Sequence, residues 1–460
     1  MSTFPQAAQR LKLDPFALIL VVLLFAEHLL FGANRADLAV AFAVPHFLLL
    51  LGLIALSKGA EPPRLPLKWP ALLLGVVFVL GLFSILPLGP PLTHPLWAYV
   101  QALDPKTPAT ISLEPFATRV EMVKLAGYAA LFLCGASVGA RREGAEAMGR
   151  YLTLAGVLYC LWAAIAFAAD PGTIFGVPRP VGHDRLSASF FSANSAATLF
   201  ACLTILGLTG VMRPLIRERR TGERLKPVEF LKAWPQAVLT AMAFGCLLVS
   251  ASRGGLLALA AATLVTLAAV AWIKSSKGSL TGGFVAAACL ALVAGVAMFS
   301  FGGQHTAERL ADTNPLTEDR LELLAAFWPT FLASPWLGYG LGAFQAVNGA
   351  SMNSGNAIAL THLGAVHNVY LQWLLQEGVP GALAMFGAVG LVLLATARGV
   401  GRRANQRWLG VACLGVAAVF AIHGLVDFAL EEPSLAAFFS VILGLGYGLA
   451  ERPSSGRRRS

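Results

Sequence analysis

Residues 234–273 read WPQAVLTAMAFGCLLVSASRGGLLALAAATLVTLAAVAWI, a stretch in which Arg253 is the one charged residue. A helix crosses a bilayer with about 20 mostly apolar residues. Two such helices fit here, 234–251 and 254–273, joined through the tight turn Ser252-Arg253-Gly254-Gly255. Working outward, the same apolar density recurs and gives twelve expected spans: 15–33, 37–56, 69–87, 121–140, 152–169, 189–211, 234–251, 254–273, 280–300, 381–397, 408–428 and 435–450. The 460 residues are 57% hydrophobic and 13% charged, about half of the roughly 25% charge of an ordinary globular chain. That is too little charge to coat the surfaces of a soluble protein of this length and too much apolar matter for a disordered one. The expected fold class is an all-α polytopic membrane protein of about twelve transmembrane helices, with a large, partly helical loop between helices nine and ten.

A net charge of +10 would suggest nucleic acid in a soluble protein. In a multi-pass chain it speaks first of topology, because Lys and Arg collect on the cytoplasmic side. With the N-terminus inside, every inner segment is basic, from Arg10 and Lys12 through Arg141, Arg142 and Arg150 to Arg457, Arg458 and Arg459; the 212–232 stretch holds the most. Both termini are therefore expected in the cytoplasm, and no nucleic-acid partner is needed. The first span follows Arg10 and Lys12 without a small-residue cleavage site and reads as a retained signal anchor. The six cysteines, Cys134, Cys160, Cys202, Cys246, Cys289 and Cys413, sit in apolar runs with no CxxC spacing and read as small buried hydrophobes.

The outer segments then include a Pro-rich loop at 88–118, a shorter one at 171–188 and a much longer one at 301–380. The chain thus divides into 1–300 (nine spans with short loops), the outer loop 301–380, and 381–460 (three spans and a basic tail). Trp328, Phe331, Trp336, Tyr339, Phe344, Tyr370 and Trp373 give the long loop enough aromatic surface to fold. Thr317 can cap a helix whose first turn holds Glu318 and Asp319. Leu321, Leu324, Phe327, Trp328 and Phe331 then supply an apolar face at helical spacing. Gly338-Tyr339-Gly340-Leu341-Gly342 reads as a flexible turn, and a second helix starts near His367-Asn368 and stops at Gly378-Val379-Pro380. No fixed-period repeat is visible.

Ionisable groups at a membrane face are costly and suggest function. Arg253 is either an interfacial anchor that snorkels to headgroups or a phosphate grip, with Gly254 and Gly255 leaving room for a bulky ligand. Arg320, in the first turn of the loop helix, either pairs with Glu318, Asp319 or Glu322 or holds an anion. His367 is either a packed or capping histidine or a general base. His305 and His362 read as solvated. Arg185, just before the span containing Asn194, is either a plain loop charge or a substrate contact. Asp427 and His423, one helical turn apart, either share a packing hydrogen bond or face a ligand. The sequence has no GxxxxGK[ST], no HExxH and no DxD, so the expectation is chemistry without nucleotide, metal or other cofactor on a substrate that arrives already activated.

The stretch His367-Asn368-Val369-Tyr370-Leu371-Gln372-Trp373-Leu374-Leu375-Gln376-Glu377-Gly378-Val379-Pro380-Gly381 resembles the O-antigen ligase and O-antigen polymerase superfamily of bacterial inner-membrane proteins. Supporting stretches are Ser250-Ala251-Ser252-Arg253-Gly254-Gly255, Arg320 with Pro335-Trp336-Leu337-Gly338-Tyr339-Gly340, and Ser189-Phe190-Phe191-Ser192-Ala193-Asn194; the likeness spans roughly 180–430. The resemblance implies a twelve-helix body capped by its outer loop. It also implies transfer of glycan from undecaprenyl diphosphate, with lipid A–core as acceptor in ligases and a second lipid-linked glycan in polymerases. It assigns catalytic roles to His367, Arg320 and Arg253, with a looser match at Asp427. Arg185, Asn194, Asn368 and Asp427 are the expected substrate contacts, and membrane lipids the surrounding partners. A lipid-linked oligosaccharide transporter is the competing class, but its binding charges would lie near the bilayer midplane.

Overall fold

The structure, a computed structural model, describes residues 14–56, 67–179, 183–216, 227–275, 316–361, 363–402 and 406–451. The expected span at 280–300, together with Cys289, His305 and His362, lies outside the described residues. The described residues are mainly helical. The principal helices are α1 (Pro15–Leu29), α2 (Ala36–Leu56), α3 (Lys68–Ser84), α4 (Leu96–Leu103), α5 (Pro115–Ala140), α6 (Arg142–Ala169), α7 (Ala193–Val211), α8 (Trp234–Val249), α9 (Arg253–Ser275), α10 (Leu316–Ala333), α11 (Phe344–Ser351), α12 (Val369–Arg402), α13 (Arg407–His423) and α14 (Pro433–Glu451). Among the described residues, seven of these are long and apolar enough to cross a membrane: α2, α5, α6, α7, α9, α12 and α14. Their outer faces, like that of α3, are hydrocarbon. Val79 is 65%, Leu257 71% and Leu383 67% exposed, as suits helices solvated by lipid. The molecule is a multi-pass membrane protein.

Local chemistry sets the helix starts. Asp14 accepts from the Ala17 N–H at 3.0 Å ahead of Pro15. Ser192 accepts from the N–H groups of Asn194 and Ser195 at the head of α7, and Ser252 from that of Gly255 at the head of α9 (3.2 Å). Each satisfies a donor that the first helical turn leaves orphaned.

The tightest packing joins α5 to α14. Gly135 and Gly139 face Gly444 and Gly448, two glycine pairs at four-residue spacing that let the backbones meet. A methyl group on Gly448 would sit inside the carbonyl of Ala136, and one on Gly444 inside that of Phe132. The neighbours are backbone and cannot swing aside. Gly448→Ala is therefore expected to cost more than the roughly 1–3 kcal/mol of ordinary overpacking, read as a lowered thermal midpoint of the purified protein; an unchanged midpoint would contradict this contact.

The segment between α10 and the first turns of α12 forms a second, smaller core of Leu323, Phe327, Phe331, Tyr339, Phe344, Val347, Leu360, Val366, Leu371 and Leu375. The buried face of α10 is Leu323, Phe327 and Phe331. This corrects the face expected from the sequence, since Leu324 and Trp328 are 42% and 45% exposed. Both registers repeat every three to four residues, and only the direction of the partner core separates them. Side chains of residues 316–322, including Thr317, Glu318, Asp319 and Arg320, lie outside the described set.

The glycine-rich turn is tied to its neighbours by hydrogen bonds. Gly338, Gly340 and Gly342 all have positive φ. The α12 helix breaks at Gly378 (φ 63°, ψ −173°) and restarts through Pro380. The break orphans carbonyls, and the glycine turn supplies their donors: Tyr339 N–H to Leu375 O (2.8 Å) and Gly340 N–H to Gln376 O (2.9 Å). The 88–118 loop docks on the other side, with Leu113 N–H on Tyr339 O and the Thr118 hydroxyl on Leu341 O.

Candidate functional site

Two ends of the bundle differ in their charges. One holds Asp14 paired with Arg141 (2.9 Å), Gln406 on the Arg142 carbonyl, and Arg213 over the Trp408 ring. The other gathers most of the residues singled out from the sequence. α7, α9, α12 and α14 start there and α13 ends there.

His367 is held on a backbone of φ 58° immediately before α12. It does not open the helix, as its sequence context suggests; Val369 does, and Asn368 caps it by accepting from the Leu371 N–H at 2.9 Å. The Asn368 amide also donates to Leu425 O (3.0 Å), the Val369 N–H to Gly424 O (2.8 Å) and the Tyr370 hydroxyl to Ala421 O (2.7 Å). Three bonds thus lock the head of α12 onto the end of α13. The His367 ring stands edge-on to Phe428 at 4.7 Å, with Nδ1 3.5 Å from Asp427 Oδ1. That separation is ion-pair reach rather than a short hydrogen bond. Asp427 is fully buried.

Asp427 does not share a helix with His423, contrary to the i, i+4 reading. α13 ends at His423, Gly424 caps it, and Asp427 lies in the following loop. The two still interact. Burial pushes the Asp427 carboxyl up, but the His367 contact and the His423 and His367 charges outweigh it, so the group sits below its ordinary range. His423 itself bonds through Nδ1 to the Thr198 hydroxyl of α7 (2.7 Å).

The link to Arg253 runs through Gly254. A Cβ there would meet His423 Nε2 at 2.9 Å and Val426 at 3.2 Å. The first turn of α9, with half-buried Arg253 at its head, therefore rests directly on the His423–Asp427 segment. Arg185 is anchored on the same corner, its Nε donating to Ser250 O and its Nη2 to Asn194 Oδ1, both at 2.9 Å. Arg253, His367, Asn368, Asp427, Arg185 and Asn194 thus occupy one end, tied together by contacts among α7, α9, α12 and α13. Arg320 falls on α10, with its side chain outside the described set.

Beside this corner opens a cavity of about 380 Å³ between α3, α5, α12, α13 and α14. Leu74, Phe132, Val389, Ala417 and Phe439 are typical of its walls; Glu121, Lys124, Gln376 and Glu431 supply its polar lining. Val369 and Tyr370 belong to its wall, which puts it two residues from His367.

Sequence reading missed several buried ionisable groups here and deeper. Glu27 and His46 pair at 2.6 Å inside the bundle, both about fully buried. Their positions inside apolar runs were the available signal. Glu432, 1% exposed, accepts from Asn34 Nδ2 (3.1 Å) and the Ser195 hydroxyl (3.2 Å) and so ties the α1–α2 turn to the head of α7. Burial pushes Glu432 up to about 8, with the nearby Asp427 and Glu431 charges adding to the rise and Ser195 and Lys124 opposing it. A carboxyl raised in the folded state stabilises fully below its ordinary value and loses that contribution as pH climbs through the folded one. The protein is therefore expected to melt lower at pH 8.5 than at pH 5. The difference should reach a few kcal/mol, since each tenfold gain in proton affinity on folding is worth about 1.4 kcal/mol. Glu432→Gln, isosteric and neutral throughout, should shrink that difference without abolishing it, since burial also pushes Glu431 up, to about 7. Parallel melting profiles over pH 5–9 for the two proteins would refute it.

Residues 238–386 match the family model described as O-antigen ligase. That segment holds Arg253, Arg320, His367 and Asn368; Arg185, Asn194 and Asp427 fall outside it. No curated protein matches the chain significantly.

Proposed function

The chain is a member of the O-antigen ligase and polymerase superfamily, and from that premise we propose that it is a glycosyltransferase working at the periplasmic face of a bacterial inner membrane, both termini cytoplasmic. Its donor is an undecaprenyl-diphosphate-linked glycan, and its acceptor a hydroxyl of lipid A–core. The observation that carries this reading is the contact of Gly254 with His423, which sets the turn of Arg253 beside the Asp427–His367 pair.

The chemistry follows from the parts. The acceptor oxygen attacks the anomeric carbon as its proton passes to His367. With Nδ1 turned to Asp427, Nε2 is the ring nitrogen left for that proton, and the buried carboxylate stabilises the imidazolium that forms. The new C–O bond forms as the bond to the diphosphate breaks, and the electron pair leaves with the diphosphate. Arg253, together with Arg320, neutralises the growing charge. Attack opposite the leaving group inverts the anomeric centre. The apolar cavity at Val369 and Tyr370 suits the isoprenoid tail, leaving the diphosphate at the polar end. The outer loop 301–380 serves as the catalytic cap over the helices of 1–300 and 381–460.

The test is the material that accumulates when the protein is absent. A ligase leaves lipid A–core bare and strands polymer on the lipid carrier. Core bearing a single repeat would point instead to the polymerase form of the same chemistry. Transfer by the purified protein in detergent, where no transport exists, supports the enzyme; its absence with intact lipid-linked donor and core acceptor would refute it.

A further inference from the structure

A second pocket, of about 200 Å³, lies beyond Arg185 at the same end of the bundle. Its walls include Trp162, Phe175, Asp170, Arg179 and Ser187. A short antiparallel hairpin, Thr173–Ile174 paired with Val177–Pro178, carries the Phe175 ring onto Trp162, stacked at 5.2 Å and 22°. Phe31 meets Phe175 edge-on at 6.0 Å. Asp170 braces the hairpin, accepting from Gly172 N–H (2.9 Å) and the Thr173 hydroxyl (2.7 Å). Arg179 donates through Nη1 to Pro171 O and Arg185 O, which connects this pocket to the candidate site by a single residue.

Phe175 is the anomaly. It stands with Gly176 in the two-residue hairpin turn at φ 49° and 79°. Such a turn favours Asn or Asp at its first place, where φ is positive. A phenylalanine there strains the backbone, and beyond its contacts with Trp162 and Phe31 59% of it stays exposed. An interfacial anchor would use the polar edge of Trp or Tyr, which Phe lacks. What an aromatic face beside a carboxylate and a guanidinium does recognise is a sugar ring: C–H face on the aromatic, hydroxyls on the charges. The volume lies below the roughly 300–1,000 Å³ of sites for larger ligands and suits one ring.

We propose that this pocket binds one pyranose of the glycan being joined, stacked on the face of Phe175 turned away from Trp162 and hydrogen-bonded through its hydroxyls to Asp170 and Arg179. The assignment rests on the glycosyltransferase reading for its biological ligand, but binding can be measured without transfer. Saturation-transfer NMR on the purified full-length protein would use the methyl glycosides of glucose, mannose, galactose and N-acetylglucosamine. Saturation is expected on ring C–H protons of at least one of them. Phe175→Asn should preserve or raise the thermal midpoint, since it suits the turn, while weakening binding roughly tenfold, the worth of one aromatic face. Asp170→Asn should weaken it through the hydroxyls, and His367→Ala should leave it intact. In the transfer assay, a KM raised for acceptor alone assigns the ring to the acceptor, and one raised for donor alone assigns it to the donor glycan. No saturation of any glycoside by the wild type, or equal saturation with Phe175→Asn, overturns the proposal. Binding retained in a protein that transfers nothing would keep this site and sink the catalytic reading instead.

Discussion

Replacing His367 by alanine is expected to lower the transfer rate by about 10²–10⁴-fold, the ordinary worth of a positioned general base. The fold should survive, because the ring is only partly buried and the head of α12 is held by Asn368, Val369 N–H and Tyr370 instead. Asp427→Asn keeps the shape of a fully buried side chain while removing the charge that faces Nδ1 at 3.5 Å. It should lower kcat less than His367→Ala does, and the double variant should lose little more than the histidine variant alone, since the carboxylate acts through the imidazole. Rates measured in detergent with lipid-linked donor and core acceptor decide it. Wild-type turnover in His367→Ala, with an unchanged melting profile, would remove the histidine from the mechanism.

Arg253→Ala is expected to cost about 10²–10³ in kcat, as loss of one preorganised donor to a developing anion does. The residue opens α9, so the free N–H groups of that helix end already favour negative charge and set a floor to the loss. Arg253→Lys should recover only part of the rate, since an ammonium cannot offer a planar fork of donors to a diphosphate. A fall in kcat with little change in the donor's KM is the signature of charge met only in the transition state. A variant that raises KM alone, at unchanged kcat, would make Arg253 a binding residue and leave the departing diphosphate to be neutralised by other groups.

Some of this site is legible in the chain itself. The hydropathy of 234–273 and the lone Arg253 in it mark a helical turn at a membrane face, and the His367-Asn368 pair before an apolar run marks a helix head. Other parts are not. Leu324 and Trp328 fit the helical period as well as Leu323 does, and only the loop's own core selects among them. Asp427 looks like a neighbour of His423 on one helix because three residues of loop, 424–426, are as apolar as a span. Phe175 and Glu432 carry no motif at all; their interest lies in a backbone angle and in burial, neither of which a residue pattern encodes.

Sequence alone determined the solvent of this protein, because transfer of a side chain into lipid is a property of that residue and its near neighbours. Tertiary structure decided which polar groups meet. Gly254 against His423, His367 against Asp427, and Arg185 between Ser250 and Asn194 join positions far apart in the chain. Their distances are set by how helices stack, glycine against carbonyl, and no local pattern holds that information.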